Sequence, residues 1–331
     1  MIRLIGAAKH YAWGSDSAIP TALGIEPDGR PWAELWWGTH PGGRTMAATS
    51  ADTAVPLAEV AGRLPYLVKL LAAARPLSLQ AHPTEEQASL GYAREERLRV
   101  PLTDPQRLYR DPYGKPELLL AVTRFEILCG FRPVEESAAD LEACGGDEIA
   151  DNLRLLGPAA TVAWLLASRP PIKLDHPLYE RLAADFPGDP GALVALLLHH
   201  VVLEPGEALF LYAGLLHVYL QGVGVEVMGA SDNVMRGGLT PKHVDVTELV
   251  TVLDPTPSTP EVLTPTSAGW YPVPTDAFAV QGLAGPDRWV TTGPEIIVRL
   301  SGEGNTGAWY AEPGTVVEWT GGLGCRVTAV L

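Results

Sequence analysis

Cysteine is scarce in this chain of 331 residues, which has only Cys129, Cys144 and Cys325. Three cysteines so widely spaced build neither a disulfide framework nor a cysteine-type zinc site, so reduced thiols in a cytoplasmic protein are expected. Charge is low as well, at 19% of residues, and lopsided: 24 Lys and Arg against 39 Asp and Glu give a formal net charge of −15. That field disfavours nucleic acid and anionic membranes as partners. An anionic small molecule would need a local basic cluster to overcome it. No apolar run approaches the ~18 residues of a membrane-spanning helix, and the segment Met1–His10 is too short in apolar residues for a signal peptide. No Gly-x-Gly-x-x-Gly or Walker pattern occurs, so nucleotide binding has no support.

What is plentiful points to β-structure. The chain holds 34 Gly and 30 Pro, a content that suits many short strands joined by turns. At 47% hydrophobic residues it can bury a substantial core, with two domains and an insertion expected. Strand-and-turn character covers residues 1–133 and returns from Val201. Between them the period changes: Ile149, Leu153 and Leu156, then Leu178 and Leu182, then Leu193, Leu196 and Leu197 recur at helical spacing. The expected organisation is therefore a β-unit from 1–133 and 201–250, a small helical insertion at 134–200, and a C-terminal β domain at 251–331.

The residues with chemistry gather on strands. Along Pro76–Pro83, Leu77, Leu79 and Ala81 alternate onto one face, and Ser78, Gln80 and His82 onto the other. Thr84 follows as a candidate helix N-cap. Lys115 and Glu117 share a face before an apolar run, and His217, Tyr219 and Gln221 share another. If these three strands are neighbours, Gln80, His82, Glu117 and His217 supply two imidazoles, a carboxylate and an amide oxygen, which suit Zn²⁺, Fe²⁺ or Mn²⁺. Taken singly, each histidine is more simply a hydrogen-bonded core or rim residue. The stretch Gly229–Lys242 is too polar and Gly-rich for a core, and reads as an ordered loop able to carry function. Lys115, Arg236 and Lys242 together would suit a dianionic phosphate, against the default of solvated surface charge. Glu226 and Asp232 are acid/base candidates or plain hydrogen-bonding residues. Glu34 is placed on a strand face with Trp32 and Trp36. The aromatic residues Trp13, Trp32 and Trp36 read as packing, with Trp13 a candidate to reach the site. His40, His176, His199, His200 and His243 lack supporting spacing and are expected to be structural or surface residues.

Two patterns extend this reading. Gly206-x5-Tyr212-x-Gly214-x2-His217-x3-Gln221 is similar to the second metal-binding motif of cupins, with Tyr212 at the usual Pro and Gln221 at the usual Asn. Gln80-x-His82 with Glu117 resembles the first. In order along the chain, Tyr11-Ala-Trp-Gly14, Ala33-Glu-Leu-Trp36, Gly38-Thr-His-Pro41, Leu77–Pro83, Lys115-Pro-Glu117, His217 and Ala230–Lys242 resemble the type I mannose-6-phosphate isomerases. The resemblance covers the first three quarters; the last 80 or so residues match only as a reduced second cupin without metal ligands.

The resemblance implies a mainly β fold of cupin (jelly-roll) barrels, a catalytic cupin interrupted by the helical insertion and followed by a reduced one. It implies an aldose–ketose isomerase that interconverts mannose 6-phosphate and fructose 6-phosphate by proton transfer between C2 and C1 through an enediol(ate). One zinc per chain would sit on Gln80, His82, Glu117 and His217. Catalytic or substrate-contacting positions fall on Lys115, Tyr219, Glu226, Asp232 and Arg236, and phosphate contacts on Ser78 and Lys242. Trp13 and Glu34 match further substrate-side positions. The expected partner is a small phosphosugar, with no nucleic acid or membrane, and a cytoplasmic monomer is expected with higher assembly left open. Two alternatives stand beside this: an iron-dependent cupin oxygenase, because two His and a Glu also make a facial triad, and a non-catalytic sugar-phosphate-binding cupin.

Overall fold

The computed structural model describes residues 1–302 and 305–330. Glu303, Gly304 and Leu331, in the expected C-terminal β domain, lie outside them. Every strand pairing among the named strands is antiparallel, and among the described residues the strands assemble into two large sheets with the cupin jelly-roll architecture and a small one of Asp287–Val290 and Val316–Trp319. The first sheet has eleven strands. Its main path runs Val262–Leu263, Ala208–Leu211, Glu117–Ala121, His217–Gly229, Tyr66–Ala73, Glu34–Gly38 and Ala7–Lys9. Leu79–Ala81, Phe125–Phe131, Leu198–Leu203 and Met235–Gly238 form a second arm.

The second sheet has seven strands and draws on both ends of the chain. Ile2–Ile5 pairs with Gly307–Ala311 on one side and Met46–Ala48 on the other. A sequence-order division at 251 thus parts strands that share a sheet. The physical reason is the core between the sheets. Leu4, Ala47, Ile296, Val298, Tyr310 and Val327 from one sheet pack with Tyr66, Val68, Leu70, Val225 and Val227 from the other.

The strand His217–Gly229 joins the two arms of the first sheet. Its first part pairs with Leu79–Ala81 and Phe125–Phe131, its second with Tyr66–Ala73 and Glu117–Ala121. Gly222 sits at the change of partners with φ +139, and a Cβ there would lie 2.6 Å from the Phe125 ring. The register against Phe125–Phe131 slips between Tyr219 and Gln221, a bulge of the kind that re-aims side chains. Gln221 is therefore exposed, accepting a hydrogen bond from Arg181 at 3.4 Å, and does not share the inner face with His217 and Tyr219 as simple alternation predicts.

Helices Val134–Ala143, Asp147–Leu156, Pro158–Ser168, Pro177–Asp185 and Gly191–Val194 follow in sequence, then a 3₁₀ turn at Ala195–Leu197. Strand Leu198–Leu203 begins before position 201 because it pairs with Phe125–Phe131, and that pairing overrides the helical look of the leucine run. Ile149, Leu153, Val162, Leu165, Leu182 and Leu193 pack on Leu79, Ala81, Leu128, Val218 and Leu220. The apolar face of the Leu79–Ala81 strand thus meets helices, which leaves Gln80 to the barrel interior, whereas Leu77, expected on that apolar face, precedes the regular strand and packs with Tyr219 and Leu119 beside the cavity. Leu156, helical in phase, is exposed. Helix Glu85–Arg97 opens with a capping box: Thr84 Oγ1 accepts from Gln87 N–H at 3.1 Å and Gln87 Oε1 from Thr84 N–H at 2.9 Å. Among the described residues no helix is long and apolar enough to cross a membrane.

Candidate metal centre and active site

The sheet registers bring the polar residues together. His217 lies opposite Gln80, and Gln80 opposite Arg236, so the three side chains leave one face. Glu117 opens its strand opposite Met228, and His82 follows Ala81 at the end of its own. The ligating atoms of His82, Glu117 and His217 all lie within 4.8 Å of one another, and the three residues are buried. His82 Nε2 is 3.2 Å and His217 Nε2 3.7 Å from the same Glu117 oxygen, Oε2.

Both imidazoles are held in one tautomer from behind. His82 Nδ1 donates to the Asn233 carbonyl and His217 Nδ1 to the Leu215 carbonyl, each at 2.9 Å, leaving both Nε2 atoms as bare lone pairs. Burial, helped by His82, pushes His217 down to about 4, so its ring is neutral at physiological pH. Among the described residues His82 Nε2 and Glu117 Oε2 face each other without a hydrogen-bond partner. Two buried acceptors turned toward one another fit a cation between them. The Gln80 amide lies 3.3 Å from His217 Nε2, and rotation about its last bond turns the oxygen toward the centre. Two imidazoles, a carboxylate and an amide oxygen are a donor set for Zn²⁺ or a similar divalent ion.

A charged row crosses the sheet beside this centre. Tyr66–Ala73 is buried along its whole length and holds a single charge, Lys69, opposite Trp36 on one side and Glu226 on the other. Lys69 Nζ is 2.7 Å from Glu226 Oε2 and 3.9 Å from Glu34 Oε1. The Trp36 indole donates to Glu34 at 2.7 Å, and the Tyr219 hydroxyl to Glu226 at 2.9 Å. Burial would pull the Lys69 ammonium down, but Glu226 and Glu34 outweigh it and hold the group above the ordinary lysine range. Burial pushes the Glu34 carboxyl up, and burial with Glu226 pushes the Tyr219 hydroxyl up. Lys115 Nζ lies 2.9 Å from Glu117 Oε1.

All of this borders a cavity of about 720 Å³, which Trp13, Ser78, Gln80, Asp232, Arg236 and Lys242 also line. Arg110, Arg236 and Lys242 line it as well and lie within electrostatic reach of one another. Among the described residues neither Arg236 nor Lys242 forms an ion pair. Burial, then Arg236 and Arg110, lowers Lys242; burial, then Arg110, lowers Arg236. Cations gathered without counter-charge form an anion site.

Three residues of this neighbourhood escaped the sequence reading. Lys69 is a lone lysine in an apolar run, where long side chains ordinarily snorkel to water. Arg110 is held by its backbone N–H to Asn233 Oδ1 at 2.8 Å. His40, expected to be structural or surface, is buried with Nε2 3.6 Å from Asp232 and Nδ1 accepting from Gly42 N–H at 3.1 Å. Burial lowers its pKa against the pull of Asp232. Trp32 goes the other way: its indole donates to Asp28 outside the Glu34–Gly38 strand.

A jelly-roll barrel with a buried His-Glu-His centre able to hold a divalent metal, beside a cation-lined cavity, has the make-up of a metal-binding cupin. Residues 1–134 match the family described as phosphomannose isomerase type I, catalytic domain. The mannose-6-phosphate isomerase of Escherichia coli (strain K12) is 36% identical over 322 residues, spanning 84% of this chain and 82% of that one. The Homo sapiens mannose-6-phosphate isomerase is 33% identical over 316 residues, spanning 76% and 72%. The crystal structure of the Salmonella typhimurium mannose 6-phosphate isomerase bound to substrate and a zinc atom superposes with a TM-score of 0.84 at 30% identity, covering all of both chains. This chain belongs to the type I phosphomannose isomerase family.

Proposed function

We propose that this protein is a zinc-dependent isomerase that interconverts mannose 6-phosphate and fructose 6-phosphate. The observation that carries the reading is the pair of buried acceptors, His82 Nε2 and Glu117 Oε2, without a hydrogen-bond partner among the described residues, beside a cavity that three cations line. Gln80, His82, Glu117 and His217 would hold the zinc, which supplies Lewis acidity toward the sugar oxygens and orients the open-chain form.

The protein groups divide the remaining work. Lys242 and Arg110, with the Ser78 hydroxyl, take the phosphate, and Arg236 counters negative charge that develops on the enediolate. Glu34 and Glu226 are bound to Lys69, and Glu117 to the metal centre and Lys115. Asp232 faces the cavity with its carboxylate 3.6 Å from His40 Nε2, so we assign it the proton transfer between C2 and C1, with Lys115 giving a proton to O1 and taking one back from O2. Tyr219 fixes Glu226, and Trp13 walls the sugar. Residues 134–197 are an insertion into the catalytic cupin, supported by the pairing of the strands that flank them. The three free thiols support a cytoplasmic setting.

The test is a coupled assay converting mannose 6-phosphate to fructose 6-phosphate, run with zinc-replete and chelated protein while oxygen is monitored. Turnover that chelation abolishes and zinc restores, with no oxygen uptake, is expected. No turnover by the zinc-replete protein overturns the reading, and oxygen consumption would favour a cupin oxygenase. Asp232→Asn leaving kcat intact would remove that residue from the proton transfer.

A further inference from the structure

The loop that carries Lys242 has open space on both sides. Thr240, Pro241 and Lys242 line the main cavity and also a separate one of about 390 Å³, whose far wall is Leu166, Arg169 and Pro187 of the helical insertion. Side-chain packing behind Thr240–Lys242 is therefore thin: Leu239 is buried in the apolar core shared with the insertion, and beyond it a few polar contacts with the insertion set the loop's course. The carboxylate of Asp189 accepts from Thr240 N–H through Oδ2 at 3.1 Å and from Gly191 N–H through Oδ1 at 2.8 Å. Thr240 Oγ1 in turn accepts from Lys242 N–H at 3.1 Å. A hydrogen-bonded path thus runs from the insertion to the backbone of Lys242.

Beside that path two backbones touch. A Cβ on Gly191 would lie 2.7 Å from Leu239 N, and one on Gly238 would lie 2.7 Å from Gly191 Cα. Leu239, between Gly238 and Thr240, has φ +53, a left-handed conformation that a leucine adopts only where its surroundings enforce it.

We propose that Asp189 is a positioning residue for the substrate phosphate: it anchors the Gly238–Lys242 loop and so makes the helical insertion part of the binding apparatus. The proposal rests on the reading of the basic cluster as a phosphate subsite. Each Asp189 oxygen is committed to one backbone N–H, so asparagine keeps a single acceptor and alanine none.

The experiment compares wild-type, Asp189→Ala, Asp189→Asn and Gly191→Ala proteins, all zinc-replete. In Asp189→Ala, KM for mannose 6-phosphate and the inhibition constant of inorganic phosphate should rise together, about tenfold, the loss expected for one charge-assisted hydrogen bond. Its kcat should stay within about twofold and its zinc content should not change. Asp189→Asn should fall between, and Gly191→Ala, whose Cβ would press on both Leu239 N and Asp189 Oδ1, should show the same pattern. Unchanged KM and phosphate inhibition in folded variants overturn the proposal, as does a loss of kcat and thermal stability at constant KM. If Asp189→Ala does not fold, unchanged KM in the other two overturns it. Direct calorimetry with inorganic phosphate separates the two readings: a wild type that binds phosphate but lacks isomerase activity sinks the proposed function alone. In that case weaker phosphate binding by the variants still supports Asp189, and equal binding refutes its role.

Discussion

Replacing Lys69 by methionine removes the one cation that two buried carboxylates share. In the wild type its ammonium lies 2.7 Å from Glu226 and 3.9 Å from Glu34, with all three side chains nearly closed to solvent. Methionine fills nearly the same volume, so the cavity contribution is small and the electrostatic one dominates. Breaking a buried ion pair from one side destabilises by about 3–5 kcal/mol, because the abandoned charge stays buried. The Tyr219 and Trp36 donors remain and stabilise one oxygen of each carboxylate, so the low end, about 3 kcal/mol, is expected at pH 8.

The deficit should also depend on pH, in a set direction. Burial already raises the Glu34 carboxyl, and losing Lys69 raises it further. A carboxyl whose folded pKa exceeds its unfolded one contributes most below the unfolded value and loses stability as pH rises through the folded value. The gap between variant and wild type should therefore narrow as pH falls, by up to about 1.4 kcal/mol per pH unit for one proton. Urea unfolding followed by tryptophan fluorescence at pH 5.5, 6.5 and 8 measures it. A deficit below about 1 kcal/mol, the size of an exposed pair, or one independent of pH, would refute this account of the Lys69 row.

Other perturbations test other parts. Because burial and two arginines lower Lys242, kcat/KM should decline on the alkaline side at a lower pH than an ordinary lysine would give, and Lys242→Arg should move that limb upward; an unmoved limb counts against Lys242 as a phosphate contact. His217→Ala should lose bound zinc by elemental analysis while keeping its strand-rich circular dichroism, and full zinc retention would argue against this ligand set. Thr84→Ala removes the capping box of Glu85–Arg97 and should lower stability by about 1 kcal/mol with KM unchanged. A larger loss there would mean that the helix start does more than cap.

How much of the site could be read in advance follows from the range of the interactions involved. The alternation along Leu79–His82 needed only nearest-neighbour sterics, and Thr84 with Gln87 is closed within one helical turn. The ligand set could be proposed from residue types, but its assembly depends on a strand pairing that joins Gln80 to a residue 137 positions away. Gln221 was misplaced because a bulge interrupts the period on which the reading depended. Lys69 gave no local signal, and His40 only its place in the Gly38–Pro41 block. A lysine in an apolar strand shows its role only once Glu34 and Glu226 are beside it, and His40 only once Asp232 is near.

By itself, then, the sequence determined the strand alternation, the helical stretch after position 133, the N-cap and the chemical character of the metal ligands, since each is written in residues a few positions apart. Tertiary structure decided which strands share a sheet, which acid is tied to which cation, and how the insertion reaches the loop bearing Lys242. Those outcomes follow from burial and pairing between distant segments. There the cost of an unpaired buried charge or polar group selects the partner, and no local pattern records the choice.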